Sequence, residues 1–159
     1  MITLQKVLVP TDFSDLSQRA LEFALSLADR FRAKLYLMHV WELPMTGSLL
    51  PPEPYPESVL TEEQTAGEGH LTKVANELKA SGFDVEPVFV FGKPHMEIVK
   101  AAADLDVDLI VLASHGRSGV SHLLLGSVAE KVVRLAPCPV FTVMLPLPAV
   151  RQAACRAER

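Results

Sequence analysis

Gly116 and the pair Gly126-Ser127 bracket the segment of this chain best suited to chemistry. An apolar run, Leu109 to Leu112, stops at the small residue Ala113. A polar, glycine-bearing loop follows from Ser114 to Ser121, and a helical pattern begins at Gly126-Ser127. A buried strand, a small-residue loop and a fresh helix start are what main-chain N–H groups need to hold a phosphate. Gly116 lets the backbone approach a phosphate without a Cβ in the way, or takes positive φ in a turn. The helix opened by Gly126, Ser127 and Val128 carries about half a positive charge at its start. Ser127-Val128-Ala129-Glu130 is equally a capping-box sequence. Arg117 offers a planar fork to a phosphate or is a solvated surface residue, and Ser118 shares its loop. Ser114 and His115 are donors for ribose or phosphate, and His115 equally a residue that fixes the loop. Asp12 follows the first apolar run. Its carboxylate suits ribose hydroxyls, an adenine amino group or Mg2+, or caps the helix behind it.

Other chemistries lack their residues. No G-x4-G-K-[ST] sequence supplies a P-loop lysine, and no G-x-G-x-x-G follows the first strand. Gly119-Val120-Ser121-His122-Leu123 lacks the second glycine of a hydrolase elbow. Ser-His neighbours in sequence do not make a nucleophile–base pair, which must be built in space. His115 and His122 have no partner cysteine and no H-E-x-x-H pattern, which argues against a metal site. Cys138 and Cys155 match no metal or redox spacing, and Cys138, between prolines, reads as a core thiol. A net charge of −4 without a basic stripe argues against nucleic acid. No apolar run approaches the roughly 18 residues of a membrane span, and Met1 to Lys6 does not read as a signal peptide. A reducing, cytoplasmic setting fits these features.

The elements that must position the loop follow from apolar patterning. The 159 residues, 49% of them apolar, suit one domain with a sizeable core. Apolar runs predict strands at Gln5–Pro10, Leu35–Val40, Val85–Phe91, Val107–Leu112 and Pro139–Met144. Between them, Thr11 to Ser14 opens a helix of about 17 residues, with Leu16, Ala20, Phe23, Ala24, Leu27 and Phe31 at helical spacing. A second helix is clearest from His70 to Ala80, with Leu71, Val74, Ala75 and Leu78 inward. A short one follows Gly92-Lys93-Pro94, with Pro94 suited to its first turn. The fourth runs from Gly126 or Ser127 to Ala136. Five of the twelve prolines lie between Pro44 and Pro56, so Trp41 to Pro56 reads as a surface loop. Strands that are apolar throughout, alternating with helices, predict an α/β fold. It is a single-domain, doubly wound parallel sheet with helices on both faces, Rossmann-like in class.

With these residues in place, the chain resembles the universal stress protein family over residues 4 to 144. The start V-L-V-P-T-D-F-S is similar to that family's first strand and turn. The segment from Asp108 is similar to its nucleotide-binding signature, G-x2-G-x9-G-[ST], with Gly116, Gly126 and Ser127 in place and Ala113 where the first glycine stands. A-P-C-P-V resembles its last strand. The resemblance implies strand order 3-2-1-4-5, a domain over residues 1–146 and a tail over 147–159. Ligands in open α/β sheets sit where strand order reverses, here between the first and fourth strands. The resemblance therefore implies an adenine-nucleotide site built from Pro10, Thr11, Asp12, Val40, Leu112, Ala113, Ser114, His115, Gly116, Arg117, Ser118, Gly126, Ser127 and Val128. Pro10 and Val40 would sandwich the base. ATP with Mg2+ is the implied ligand, Mg2+ being held through the phosphates and Asp12 rather than by protein alone. A homodimer through Pro139 to Met144 is implied too.

Two functions of different class remain from the sequence. One is a nucleotide-dependent regulatory module, with no catalytic residue in the loop and at most slow hydrolysis or self-phosphorylation. The other is a protein of the same fold that binds no nucleotide and acts through dimerisation and partners, a reading that Ala113 favours and Gly116, Gly126 and Ser127 oppose. A nucleotidyl or phosphoryl transferase lacks its signature.

Overall fold

The computed structural model describes residues 3–42, 57–115 and 125–144. Its elements, in chain order, are β1 (Lys6–Pro10), α1 (Asp15–Phe31), β2 (Lys34–Trp41), α2 (Glu57–Ala80), β3 (Val85–Phe91), α3 (Pro94–Asp104), β4 (Leu109–Ala113), α4 (Ser127–Leu135) and β5 (Val140–Val143). The five strands form one parallel sheet in the order β3-β2-β1-β4-β5. The β1 and β2 strands pair from Lys6↔Lys34 to Pro10↔Met38, and β4 pairs with β5 up to Ala113↔Val143. Strand order reverses between β1 and β4, which opens a crevice beyond their carboxyl ends.

The apolar runs predicted strands because a central parallel strand is covered twice. Val7, Leu8 and Val9 of β1 and Ile110, Val111 and Leu112 of β4 are all buried. Alternate residues belong to two cores. Val7, Val9, Leu35, Leu37 and Val111 pack under α1 and α2 with Ala20, Ala24, Leu71 and Ala75. Leu8, Tyr36, Met38, Ile110 and Leu112 pack under α3 and α4 with Ile98, Ala102, Ala129 and Val132. Each large side chain so buried contributes about 1.5–3 kcal/mol. The edge strands β3 and β5 are covered less completely. Pro87 is tolerated in β3 because an edge strand has one unpaired side.

Several predicted details shift. In α1 the buried stripe is Leu16, Ser17, Ala20, Leu21, Ala24 and Ala28. Phe23 and Phe31 are about half exposed, so the aromatics of this helix flank the core. The α2 helix, clearest in the sequence from His70 onward, begins at Glu57 and runs through Gly67 and Gly69. The N-cap of α1 is Ser14, whose side chain accepts from Ser17 N–H. Asp12 is thus not the cap. The N-cap of α4 is Gly126, without a side-chain capping bond, and Ser127 is already helical; the capping-box reading of Ser127 does not hold. Residues 43–56, holding most of the proline-rich loop, and the 147–159 tail lie outside the described residues.

Candidate functional site

At the reversal of strand order lies a cleft of about 260 Å3. Eleven residues singled out in the sequence line it: Pro10, Thr11, Asp12, Val40, Leu112, Ala113, Ser114, His115, Gly126, Ser127 and Val128. Gly116, Arg117 and Ser118 lie outside the described residues. Sequence reasoning missed Ser17, Met38, Pro94, Ile98 and Ala129, which complete the lining. Met38 arrives by register, opposite Pro10, and its carbonyl accepts from Thr11 N–H at 2.8 Å. Pro94 and Ile98 arrive because α3 docks on the α4 side of the sheet. Only a crossover drawn in three dimensions reveals them.

The cleft has an apolar end and a polar end. Pro10, Met38, Val40, Pro94, Ile98 and Leu112 offer aliphatic walls, the kind of surface a flat ring needs. Opposite them, β4 runs out into Ser114. Its N–H donates to Val143 O at 2.9 Å, its carbonyl accepts from Gly126 N–H at 2.7 Å, and its side chain meets His115 Nδ1 at 3.0 Å. Ser114 is 1% exposed. The Ser-His neighbours therefore do meet in space, but the serine is locked into the scaffold on three sides, which suits a hinge pin better than a nucleophile. His115 Nε2 is buried and has no hydrogen-bond partner among the described residues.

Gly126 is glycine because of close approach, since its φ is −60°. A Cβ there would lie 3.0 Å from Ser114 O and 3.5 Å from His115 Cα. This tight seam lets α4 begin directly against the end of β4. The first bond within α4 runs from Glu130 N–H to Gly126 O at 2.9 Å, so the N–H groups of Ser127, Val128 and Ala129 precede it and find no partner inside the helix. They give the polar end of the cleft its positive character. Ala113, which replaces the family's glycine, closes β4 in regular extended pairing with Val143, a conformation that alanine adopts without strain.

Across the crevice, the turn after β1 presents Thr11 and Asp12. Asp12 Oδ1 accepts from Ser14 N–H at 3.1 Å and from Ser14 Oγ at 2.6 Å. Thr11 Oγ1 accepts from Phe13 N–H at 3.0 Å and lies 3.1 Å from Ser17 Oγ. Phe13 has φ 62°, a left-handed conformation that costs a bulky residue roughly 1–2 kcal/mol. Among the described residues, Asp12 is the one carboxylate lining the cleft, and no three His, Cys, Asp or Glu side chains converge to hold a metal ion. An Asp12 carboxylate beside a helix N-terminus fits the chemistry of a phosphate-bound Mg2+. Among the described residues no helix is long and apolar enough to cross a membrane.

A doubly wound α/β domain with a small-ligand crevice at its switch point is the class that fold and site define. Residues 3–144 match the model of the universal stress protein family, and the chain belongs to that family. It is 36% identical over 143 residues to universal stress protein MJ0531 of Methanocaldococcus jannaschii, covering 89% of this chain and 83% of that one. The solved structure of protein MJ0577 from the same organism superposes with a TM-score of 0.79 at 31% identity, over 92% of this chain and 99% of that one. A universal stress protein solved in complex with cAMP is 28% identical, with a TM-score of 0.63 over 90% of this chain and 98% of that one. One from Archaeoglobus fulgidus in complex with dAMP is 25% identical, with a TM-score of 0.57 over 90% and 99%.

Proposed function

We propose that this protein binds an adenine nucleotide, ATP with Mg2+, in the cleft between β1 and β4 and acts as a nucleotide-dependent regulatory module. The observation that carries the reading is the pairing of aliphatic walls at one end with the seam of Ser114, Gly126 and the α4 N-terminus at the other. An adenosine ring matches the first and phosphate oxygens the second. The relatives bound to cAMP and dAMP support the ligand class. Asp12 would accept from ribose or adenine. Mg2+ would neutralise the phosphates. By the family resemblance, Gly116, Arg117 and Ser118 would add contacts to the phosphates. Ser114, the nucleophile type nearest a histidine among the described residues, is tied to the scaffold through its N–H and carbonyl, and turnover would be slow. The cytosol, which holds the nucleotide pool, is the proposed compartment. Denaturing the purified protein and identifying released nucleotide, then titrating the emptied protein with ATP with and without Mg2+, tests this. Release or a heat of binding supports it; neither would move the function to protein partners.

The β5 edge favours a second element of function, a homodimer. Phe141 and Met144 are about half exposed there, and the Phe141 ring lies 5.9 Å from that of Phe23 on α1. Apolar edges of this kind pair with other strands.

A further inference from the structure

Behind Asp12, on the sheet face away from the cleft, the β1–α1 turn is gripped by an aromatic assembly. Phe13 sits between two histidines. Its ring centroid is 4.6 Å from that of His39 on β2 and 4.4 Å from that of His70 on α2. The His39 ring continues to Phe89 on β3 at 5.8 Å. Gly67 of α2 passes close by, where a Cβ would lie 3.5 Å from Phe89 and 3.7 Å from His39. His39 Nδ1 lies 2.8 Å from Thr11 O. A carbonyl only accepts, so this nitrogen carries the proton and donates.

The contact has a purpose that packing alone does not supply. Phe13 is left-handed at φ 62°, and a phenylalanine left to itself abandons that region. Two bonds hold the peptides around it: His39 to Thr11 O from outside, and Phe13 N–H to Thr11 Oγ1 within the turn. With Phe13 left-handed, its ring packs toward α1 and α2, while Thr11 and Asp12 remain in the cleft on the other side. We infer that His39 is a positioning residue for the nucleotide site, clamping the Thr11–Phe13 turn in its strained form so that Thr11 and Asp12 face the ligand. The inference rests on the nucleotide reading for its binding readout and on the turn's geometry for a second.

The test separates the donor from the ring. His39→Phe keeps an aromatic against Phe13 and Phe89 but removes the N–H. His39→Asn keeps an N–H close to the same place and removes the ring. For ATP with Mg2+, His39→Phe weakens affinity roughly five- to tenfold with a melting temperature near that of the wild type, the worth of one hydrogen bond. His39→Asn melts earlier but binds within about twofold of the wild type. A purely structural histidine gives the opposite pairing, with affinity following melting temperature in both variants, and that result overturns the inference. Phe13→Asn supplies a residue at ease in the left-handed region. In that background His39→Phe costs little affinity, whereas an undiminished loss overturns the strain argument. Should the wild type bind no adenine nucleotide, the proposed function fails, and amide exchange decides the clamp on its own. Faster exchange at Phe13 and Ser14 in His39→Phe than in His39→Asn sustains it; equal exchange overturns it.

Discussion

The Gly126 N–H donates to the Ser114 carbonyl at 2.7 Å, and a Cβ on Gly126 would stand 3.0 Å from that same oxygen. One bond thus fixes both where β4 ends and where α4 begins. It also spends the Gly126 N–H on the scaffold, while those of Ser127, Val128 and Ala129 have no partner inside the helix.

The seam predicts graded damage. Gly126→Ala asks Ser114 to yield by a few tenths of an ångström and replaces a good N-cap with a poor one, costing up to about 1 kcal/mol of stability. Gly126→Val is overpacked by about 1–3 kcal/mol, and the misplaced helix start loses roughly tenfold to a hundredfold in ATP affinity. Calorimetric titration beside a thermal melt checks this. A valine variant that binds like the wild type removes the α4 terminus from the site.

Asp12 holds the β1–α1 turn and, in the proposed function, also meets the ligand; one substitution separates the two roles. Asn at position 12 still accepts from Ser14 N–H and Oγ, so Asp12→Asn should melt within a few degrees of the wild type. It lacks the charge that strengthens a bond to a ribose hydroxyl, and affinity for ATP should drop about tenfold. Ser14→Ala is the mirror case, losing the cap and about 1 kcal/mol of stability with the carboxylate intact. If Asp12→Asn binds unchanged, Asp12 serves only the turn.

The central strands were legible because full burial leaves no polar residue between Val7 and Val9 or between Ile110 and Leu112. The polar half of the site was legible for a different reason: Gly126 carries a close-approach requirement that few residues meet, and Ser127 marks the helix start behind it. Met38, Ile98 and Pro94 were not legible. Their types are those of any core residue, and only strand register and the docking of α3 bring them to the cleft. Phe23 and Phe31 misled because hydrophobicity alone assigned them inward, whereas the close packing of α1 on the sheet selects the smaller Ala24 and Ala28. The early turns of α2 were hidden by Gly67, whose lack of a Cβ suits its approach to Phe89 and His39.

Cys138 offers a pH test of its surroundings. Burial pushes its thiol above the ordinary value of 9.0, the negative charge of Asp108 adds to this, and a backbone hydrogen bond at Ile110 opposes it. The folded protein therefore keeps the proton where the unfolded chain releases it, so this thiol costs no stability below its ordinary pKa and destabilises increasingly as pH climbs through and above it. Whatever stability wild type holds over Cys138→Ala at pH 7 should shrink on the alkaline side, read as the difference between their melting temperatures across a pH series. A constant difference would place the thiol in a water-like setting.

The β5 edge makes the final prediction, and its logic is geometric. Val140, Phe141, Thr142 and Val143 pair with β4 on one side only. The other side offers main-chain groups to a second strand, and Phe141, 45% exposed, stands beside Phe23, 53% exposed. A partner strand laid along this edge would pair those groups and cover both rings. Phe141→Lys places a charge in that seam, the device by which natural edge strands resist pairing. Because the ring is half exposed within one chain, the monomer itself loses little when it is replaced. Light scattering should therefore report a dimer for the wild type and a monomer for Phe141→Lys, with circular dichroism unchanged. A variant that keeps its dimeric mass would move the interface elsewhere. A wild type that is monomeric at every concentration would leave the edge unpaired and Phe141 exposed for some other partner.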